Sequence, residues 1–367
     1  MKIVQILPEL DAGGVERGTL EIAAHLVRLG HESLVISHGG RLVAELEQAG
    51  SRHIQMPVHR KALASLVQIP RLRKFFMEEK PDLIHVRSRL PAWLVWLAWK
   101  TMNRRTRPRL VTTVHGFYSV NAYSAIMTRG QRVIAVSASV RDHVLKNYPR
   151  TDPDRVRVIY RGVDPRNYGV HFRPTIEWHD RWRAEYPRLA AKCVLLLPGR
   201  ITRLKGHEDF FYLIDGLKNA GIPVHGLVAG DAHAKKRDYL DELRGVVRTL
   251  GLEADITFLG HRSDIREVMA VSDIICALSQ QPESFGRTVL EALALGKPVV
   301  GYDCGGVGEL LGEYFPSGRV PLADRVRLVD TTRSVIQNRT SPAPVGMPFT
   351  LEAMCRRTLE VYAERVS

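Results

Sequence analysis

Short runs of Val, Ile and Leu recur along this chain, and between them apolar positions repeat at helical spacing. The runs at 2–7, 33–37, 83–86, 110–114 and 132–136 form one series of expected strands. Those at 193–197, 225–229, 256–259, 273–278 and 298–302 form a second. A strand that is apolar at nearly every position is buried on both faces, and alternation with helices makes its neighbours parallel. The pattern predicts an α/β protein with two doubly wound parallel-sheet domains. Their break falls within 162–192, where Gly162, Pro165, Gly169, Pro174 and Pro187 interrupt any period. Trp178 and Trp182 imply that part of this stretch packs. The domains are expected at 1–165 and 166–349. After a Pro-rich loop at 341–348, Thr350 caps a helix running to about Val366, with Leu351, Met354, Leu359 and Tyr362 on its apolar side.

A chain of 367 residues is long enough for two such cores, and 45% hydrophobic with 25% charged residues is ordinary for a soluble globular protein. The four cysteines lie far apart without metal-ligand spacing, so no structural zinc and no metal site is expected. The N-terminal apolar run stops at Pro8, Glu9 and Asp11, which predicts no signal peptide and a cytoplasmic protein. No window reaches membrane-spanning length.

Charge changes the picture more. Of the net +14, residues 1–165 carry +12 (26 basic, 14 acidic) and 52–109 alone carry +11 (14 basic, 3 acidic). Two readings stay open: a solvated basic face, or a surface that meets an anionic membrane, a phosphorylated glycolipid or nucleic acid. In 89–109, Trp93, Trp96 and Trp99 precede Arg104, Arg105, Arg107 and Arg109. That composition fits an interfacial helix on an anionic leaflet, or a half-buried helix with a charged end. The aromatics do not interleave with the basic residues as a nucleic-acid stacking platform needs, so no nucleic-acid partner is expected.

Ligands of open α/β sheets bind at the carboxyl ends of strands, and four loops there have suggestive content. Asp11–Arg17 carries Gly13 and Gly14 before a helix, which is either a plain turn or a close approach to an anion. Thr113–Gly116 puts His115 at a strand tip, as a ligand contact or a structural histidine. Pro198–Gly206 sets Arg200 and Lys205 ahead of a helix, a diphosphate cradle or a basic surface loop without Walker spacing. The segment 282–303 is the most specific. Its helix runs from Arg287 to Leu295, with Glu283 in the loop before it and Glu291 inside it. Backbone N–H groups near Phe285, Gly286 and Arg287 suit phosphate oxygens. Carboxylates accept hydrogen bonds from sugar hydroxyls, so the layout suits a sugar at each end of a diphosphate.

The glutamate pair in PESFGRTVLEALALGKPVVG resembles the E-x7-E signature of glycosyltransferase family 4, and GGVER, VHG, GRxxxxKG and RGVD follow the family order over nearly the whole chain. The resemblance implies a GT-B fold: two Rossmann-like domains facing a central cleft, with the C-terminal helix crossing back to the first. It implies a retaining, metal-independent transferase using a nucleotide-sugar donor, a UDP-sugar before a GDP-sugar, and no cofactor. Carried over by motif, Arg200 and Lys205 neutralise the diphosphate, Glu283 binds the transferred sugar and Glu291 the ribose. Gly14, Arg262, Ser284, Phe285 and Gly286 complete the donor side, with the base against the loop 261–264. Gly13, Gly14 and His115 stand on the acceptor side. Catalysis then rests on His115, Glu283, Arg200 and Lys205. A lipid-linked or lipopolysaccharide-core acceptor in bacterial envelope synthesis, with peripheral membrane contact through 52–109, is the expected setting. An epimerase-like enzyme on the same fold is the rival. Arg161 in RGVD, where the family commonly has asparagine, and Gly305-Gly306, where proline is frequent, depart from the pattern.

Overall fold

Among the described residues every strand pairing is parallel, in a sheet of seven strands and a sheet of six. The computed structural model describes residues 1–11, 13–60, 63–231, 237–346 and 349–364. The first sheet holds β1 (Lys2–Ile6), β2 (Glu32–Ser37), β3 (Arg52–Gln55), β4 (Leu83–Val86), β5 (Arg109–Val114), β6 (Arg132–Ala135) and β7 (Val156–Val158), in the order β3-β2-β1-β4-β5-β6-β7. The second holds β8 (Cys193–Pro198), β9 (Val224–Ala229), β10 (Ile256–Gly260), β11 (Ile274–Ala277), β12 (Val299–Tyr302) and β13 (Arg319–Val320), in the order β10-β9-β8-β11-β12-β13. Both orders reverse direction once, between β1 and β4 and between β8 and β11. Those reversals are the switch points where doubly wound sheets open a ligand crevice.

The ten runs expected as strands all form strands. The three that went unread lie at sheet edges. Residues of β3 are exposed or half-buried along its length, while β7 and β13 are very short. An edge strand has solvent on one side and does not need the continuous apolar run of a central strand.

The chain divides into one unit of Met1–Gly162 with Leu351–Ser367 and another of Val163–Thr350. The stretch expected as the break is therefore an integral part of the second unit. Its helix Ile176–Glu185 starts at Thr175, whose side chain accepts from the Trp178 N–H. Trp178 stacks on Trp182 (5.0 Å between ring centres), and its indole N–H donates to Asp264 at 2.8 Å.

The C-terminal helix, Leu351–Ala363, completes the first unit. Met354, Cys355, Val361 and Tyr362 join Ile3, Ile22, Leu26, Leu83, Val111 and Ile134 in one core cluster, with Leu351 and Leu359 at its margin. The buried stripe thus includes Val361 and the small side chains, and the expected end at Val366 lies outside the described residues. His85, buried on β4, is hydrogen-bonded at Nδ1 to the Tyr362 hydroxyl (2.5 Å) and at Nε2 to the Thr113 hydroxyl (2.6 Å). At the end of the helix, Glu364 pairs with Arg132 and Arg157. No helix among the described residues is long and apolar enough to cross a membrane.

Tyr362→Phe keeps the packing and strips a buried imidazole nitrogen of its partner, a change that costs about 1–3 kcal/mol. The urea midpoint should fall with the slope unchanged; an unaltered midpoint would show that the Tyr362 hydroxyl adds nothing to the docking of the helix.

Candidate active site

The second unit gathers its chemistry at the β8/β11 switch point. From β8 the chain enters the loop Pro198–Gly206 and then the helix His207–Asn219. Gly206 sits at φ +70°, and a Cβ there would fall 2.1 Å from the Leu278 carbonyl oxygen, so only glycine lets this turn press against the end of β11. A backbone hydrogen bond from Gln280 N–H to Leu204 C=O (2.8 Å) ties the two loops together. Gln280 is itself anchored, donating from its amide to buried Asp209, which also accepts from Tyr302 (2.6 Å) and Arg325 (2.6 Å).

This framework brings Lys205 and Glu283 into contact across a long sequence separation. The Lys205 ammonium donates to Glu283 Oε1 at 2.6 Å, and the Ser279 hydroxyl donates to the same oxygen. Both charged side chains are about three-quarters buried. Burial alone would raise the Glu283 pKa, but the charge and hydrogen bond of Lys205, with Ser279 added, outweigh it and hold the carboxyl below its ordinary value. Arg200, two residues beyond the strand, is exposed and makes no ion pair among the described residues.

The loop carrying Glu283, Ser284 and Phe285 is clamped from behind. Gly306 N–H donates to Glu283 C=O at 2.8 Å, and a Cβ on Gly306 would lie 2.4 Å from Phe285 Cα. Here the departure Gly305-Gly306 acquires a reason, since side chains at these positions would push the loop away. The Phe285 ring is buried and packs near-parallel to Phe349. Gly286 then caps the helix Arg287–Ala294, whose first turn has N–H groups without intrahelical partners. Glu291, 7% exposed, points into this region with Oε1 held by Arg287 Nε at 2.9 Å. Arg262 binds Asp264 through two hydrogen bonds (2.8 and 2.6 Å) and lies over Trp182. Its guanidinium is a brace for the Trp178–Trp182 cluster.

In the first unit, Gly13 precedes the helix Gly14–Arg28 and Gly14 opens it. A Cβ on Gly14 would meet nothing within 4 Å, whereas one on Gly13 would strike the Glu16 carboxylate. Ala12 of this loop lies outside the described residues. His115 follows β5, half-buried, with its backbone N–H donating to the Tyr118 hydroxyl at 3.3 Å and its ring Nδ1 accepting from Arg161 at 2.9 Å. Ser279 is a site neighbour that the motifs did not single out, and the side-chain contacts of Arg161 with His115 and of Arg287 with Glu291 were likewise not read from them.

The tryptophan helix, Arg89–Lys100, differs from an interfacial helix. Trp99 is buried, covered by Arg107 at 3.3 Å, and its N–H donates to Pro108 C=O. Trp93 donates to Tyr123 C=O, and Arg129 and Lys100 lie over Trp96. Satisfied N–H groups and cation-capped rings make this a packed element, the alternative left open by the sequence. Exposed apolar groups of the basic stretch lie instead at Leu66, Val67 and Met77.

Comparison with known proteins agrees with this fold. Residues 12–167 match Glycosyltransferase Family 4 and residues 179–342 match Glycosyl transferases group 1. A solved glycosyltransferase from Rickettsia africae is 30% identical, with 98% of this chain and 97% of that one covered and a TM-score of 0.83. HepE of Anabaena, solved with UDP and glucose, is 24% identical over the whole of both chains with a TM-score of 0.80. An uncharacterized glycosyltransferase of Methanocaldococcus jannaschii is 26% identical, covering 85% of this chain and 83% of its own. Two family matches in tandem, a full-length likeness at 30% identity and two Rossmann-like sheets lead to one conclusion: this chain belongs to glycosyltransferase family 4 and is a glycosyltransferase with the GT-B fold.

Proposed function

We propose that the protein transfers a sugar from a nucleoside diphosphate donor, a UDP-sugar first among candidates, to a lipid-linked or lipopolysaccharide-core acceptor, retaining anomeric configuration and needing no metal. The observation that carries the donor reading is the Lys205–Glu283 contact at the switch point, with Arg200 open beside it. When the anomeric C–O bond breaks, its electron pair goes to the terminal phosphate oxygen, and Lys205, Arg200 and the start of the helix Arg287–Ala294 stabilise that charge. The acceptor hydroxyl forms the new C–O bond on the same face and gives its proton to the departing phosphate. Glu283, kept ionised and committed through Oε1 to Lys205 and Ser279, accepts from hydroxyls of the transferred sugar and is not assigned as a nucleophile. Glu291 takes the ribose hydroxyls. Gly13, Gly14 and His115 serve the acceptor side. HepE's complexes with UDP and UDP-glucose support the choice of base.

The basic stretch 52–109 gives the acceptor reading its membrane aspect. Leu66, Val67 and Met77 are exposed beside Arg71, Arg73 and Lys74, a mixture suited to an anionic leaflet.

Thermal unfolding with UDP, GDP, ADP and dTDP in metal-free buffer tests the donor site. A nucleotide at about 100 times its Kd adds roughly 2.7 kcal/mol and should raise Tm by several degrees. We expect UDP to respond and Lys205→Ala and Glu291→Ala to abolish the response; a flat panel would remove the diphosphate site.

Lys205→Ala also leaves Glu283 without its cation. At pH 7 the variant should be less stable by roughly 1–3 kcal/mol. Because the Glu283 pKa is depressed in the folded protein, the pair's contribution is complete above the ordinary carboxylate value and is lost as pH falls through the folded one. Denaturation curves of the two proteins should therefore converge below about pH 4.5, and a gap independent of pH would assign the loss to packing.

For the membrane, co-sedimentation should show salt-sensitive binding to vesicles containing phosphatidylserine, weakened by the triple variant Arg71→Glu, Arg73→Glu, Lys74→Glu. Equally poor binding to neutral and anionic vesicles at low salt would end that reading.

A further inference from the structure

The residue that departs from the family pattern at 161 is tied to the histidine assigned to the acceptor side. Arg161 Nη2 donates to His115 Nδ1 at 2.9 Å. A guanidinium has donors only, so this contact requires a lone pair on Nδ1. The remaining ring proton then belongs to Nε2, and that atom is buried with no hydrogen-bond partner among the described residues. A buried N–H left unsatisfied is costly, and an incoming oxygen relieves the cost.

The guanidinium is held where it is by shape. It lies against Gly18 in the helix Gly14–Arg28, where a Cβ would come within 2.1 Å of Nη1, and Nη1 also lies 3.9 Å from Met354 Sδ on the C-terminal helix. Gly18 is thus the space into which Arg161 reaches. The other groups around the ring act in the same sense. Burial first, then Arg161, Arg87 and His85, hold the His115 pKa well below its ordinary value. Tyr118 contributes a neutral hydroxyl, and Glu16, itself shifted upward by burial, faces Arg161.

We infer that Arg161 is a positioning residue that fixes the His115 imidazole as the neutral Nε2–H tautomer, so that the ring offers a substrate oxygen a hydrogen bond and does not accept its proton. The donor state follows from the contacts themselves. That the oxygen belongs to a sugar or its phosphate rests on the transferase reading above.

Ring-nitrogen NMR of protein labelled with 15N-histidine tests this, with the His115 signals assigned by loss in His115→Gln. The wild type should show the Nε2–H tautomer at pH 7 and stay neutral through pH 6.5, the ordinary histidine midpoint. Arg161→Met should convert the ring to mixed tautomers and raise its midpoint. Gly18→Ala, which displaces the guanidinium while leaving both residues in the sequence, should do the same, and Arg161→Lys should partly restore the tautomer. A wild-type imidazolium or Nδ1–H tautomer at pH 7 overturns the inference even if no variant folds, as does an unchanged tautomer in Arg161→Met. None of these readings needs a substrate, so they stand apart from the nucleotide panel. With donor and acceptor in hand, the acid limb of the kcat profile should move to higher pH in Arg161→Met, and an unmoved limb would overturn the role in catalysis.

Discussion

Parallel pairing governs everything else in this molecule. A parallel strand cannot return by a tight turn, so each connection must cross the sheet as a helix, and both faces of the sheet become interior. Polar chemistry is thereby expelled from the faces and collects on the loops that leave the carboxyl ends of the strands. Where strand order reverses, two such loops diverge and leave a crevice. In the second unit those loops carry Lys205 and Glu283; in the first, the loop after β1 carries Gly13 and Gly14.

Within that frame, the two units use charge differently. The second keeps a carboxylate ionised by giving it an ammonium and a hydroxyl, and among the described residues Arg200 is exposed without an ion pair. The first places two arginines, Arg87 and Arg161, near two histidines whose rings resist protonation. One site is suited to neutralise an anion, the other to present neutral donors.

The central strands were legible because full burial writes itself into sequence as an unbroken apolar run; β3, β7 and β13 were not, because solvent on one side removes that demand. Glu283 and Glu291 were legible as a spaced pair on one loop and helix. Their partners were harder to see. Lys205 meets Glu283 through the pairing of β8 with β11, and Arg161 meets His115 through the pairing of β5, β6 and β7. Topology, not local spacing, sets those contacts. The tryptophan helix stayed ambiguous for the same reason: Arg107 and Arg129, which cover its rings, come from outside the helix. Arg262 carried a motif-based role, yet the neighbour that fixes it, Asp264, also binds Trp178 from a stretch that reads as a linker.

The C-terminal helix has a consequence for biosynthesis. Its Met354, Cys355, Val361 and Tyr362 belong to the core of the unit whose other residues end at Gly162. A ribosome adding roughly 5–20 residues per second needs on the order of 10–40 s to cover the intervening stretch. Throughout that interval the nascent first unit carries an uncovered apolar groove lined by Ile3, Ile22 and Leu26. The second unit, continuous in sequence, has all of its chain first. Vectorial synthesis therefore inverts the order in which the two units can be completed: the unit that begins second has its whole chain before the unit that begins first.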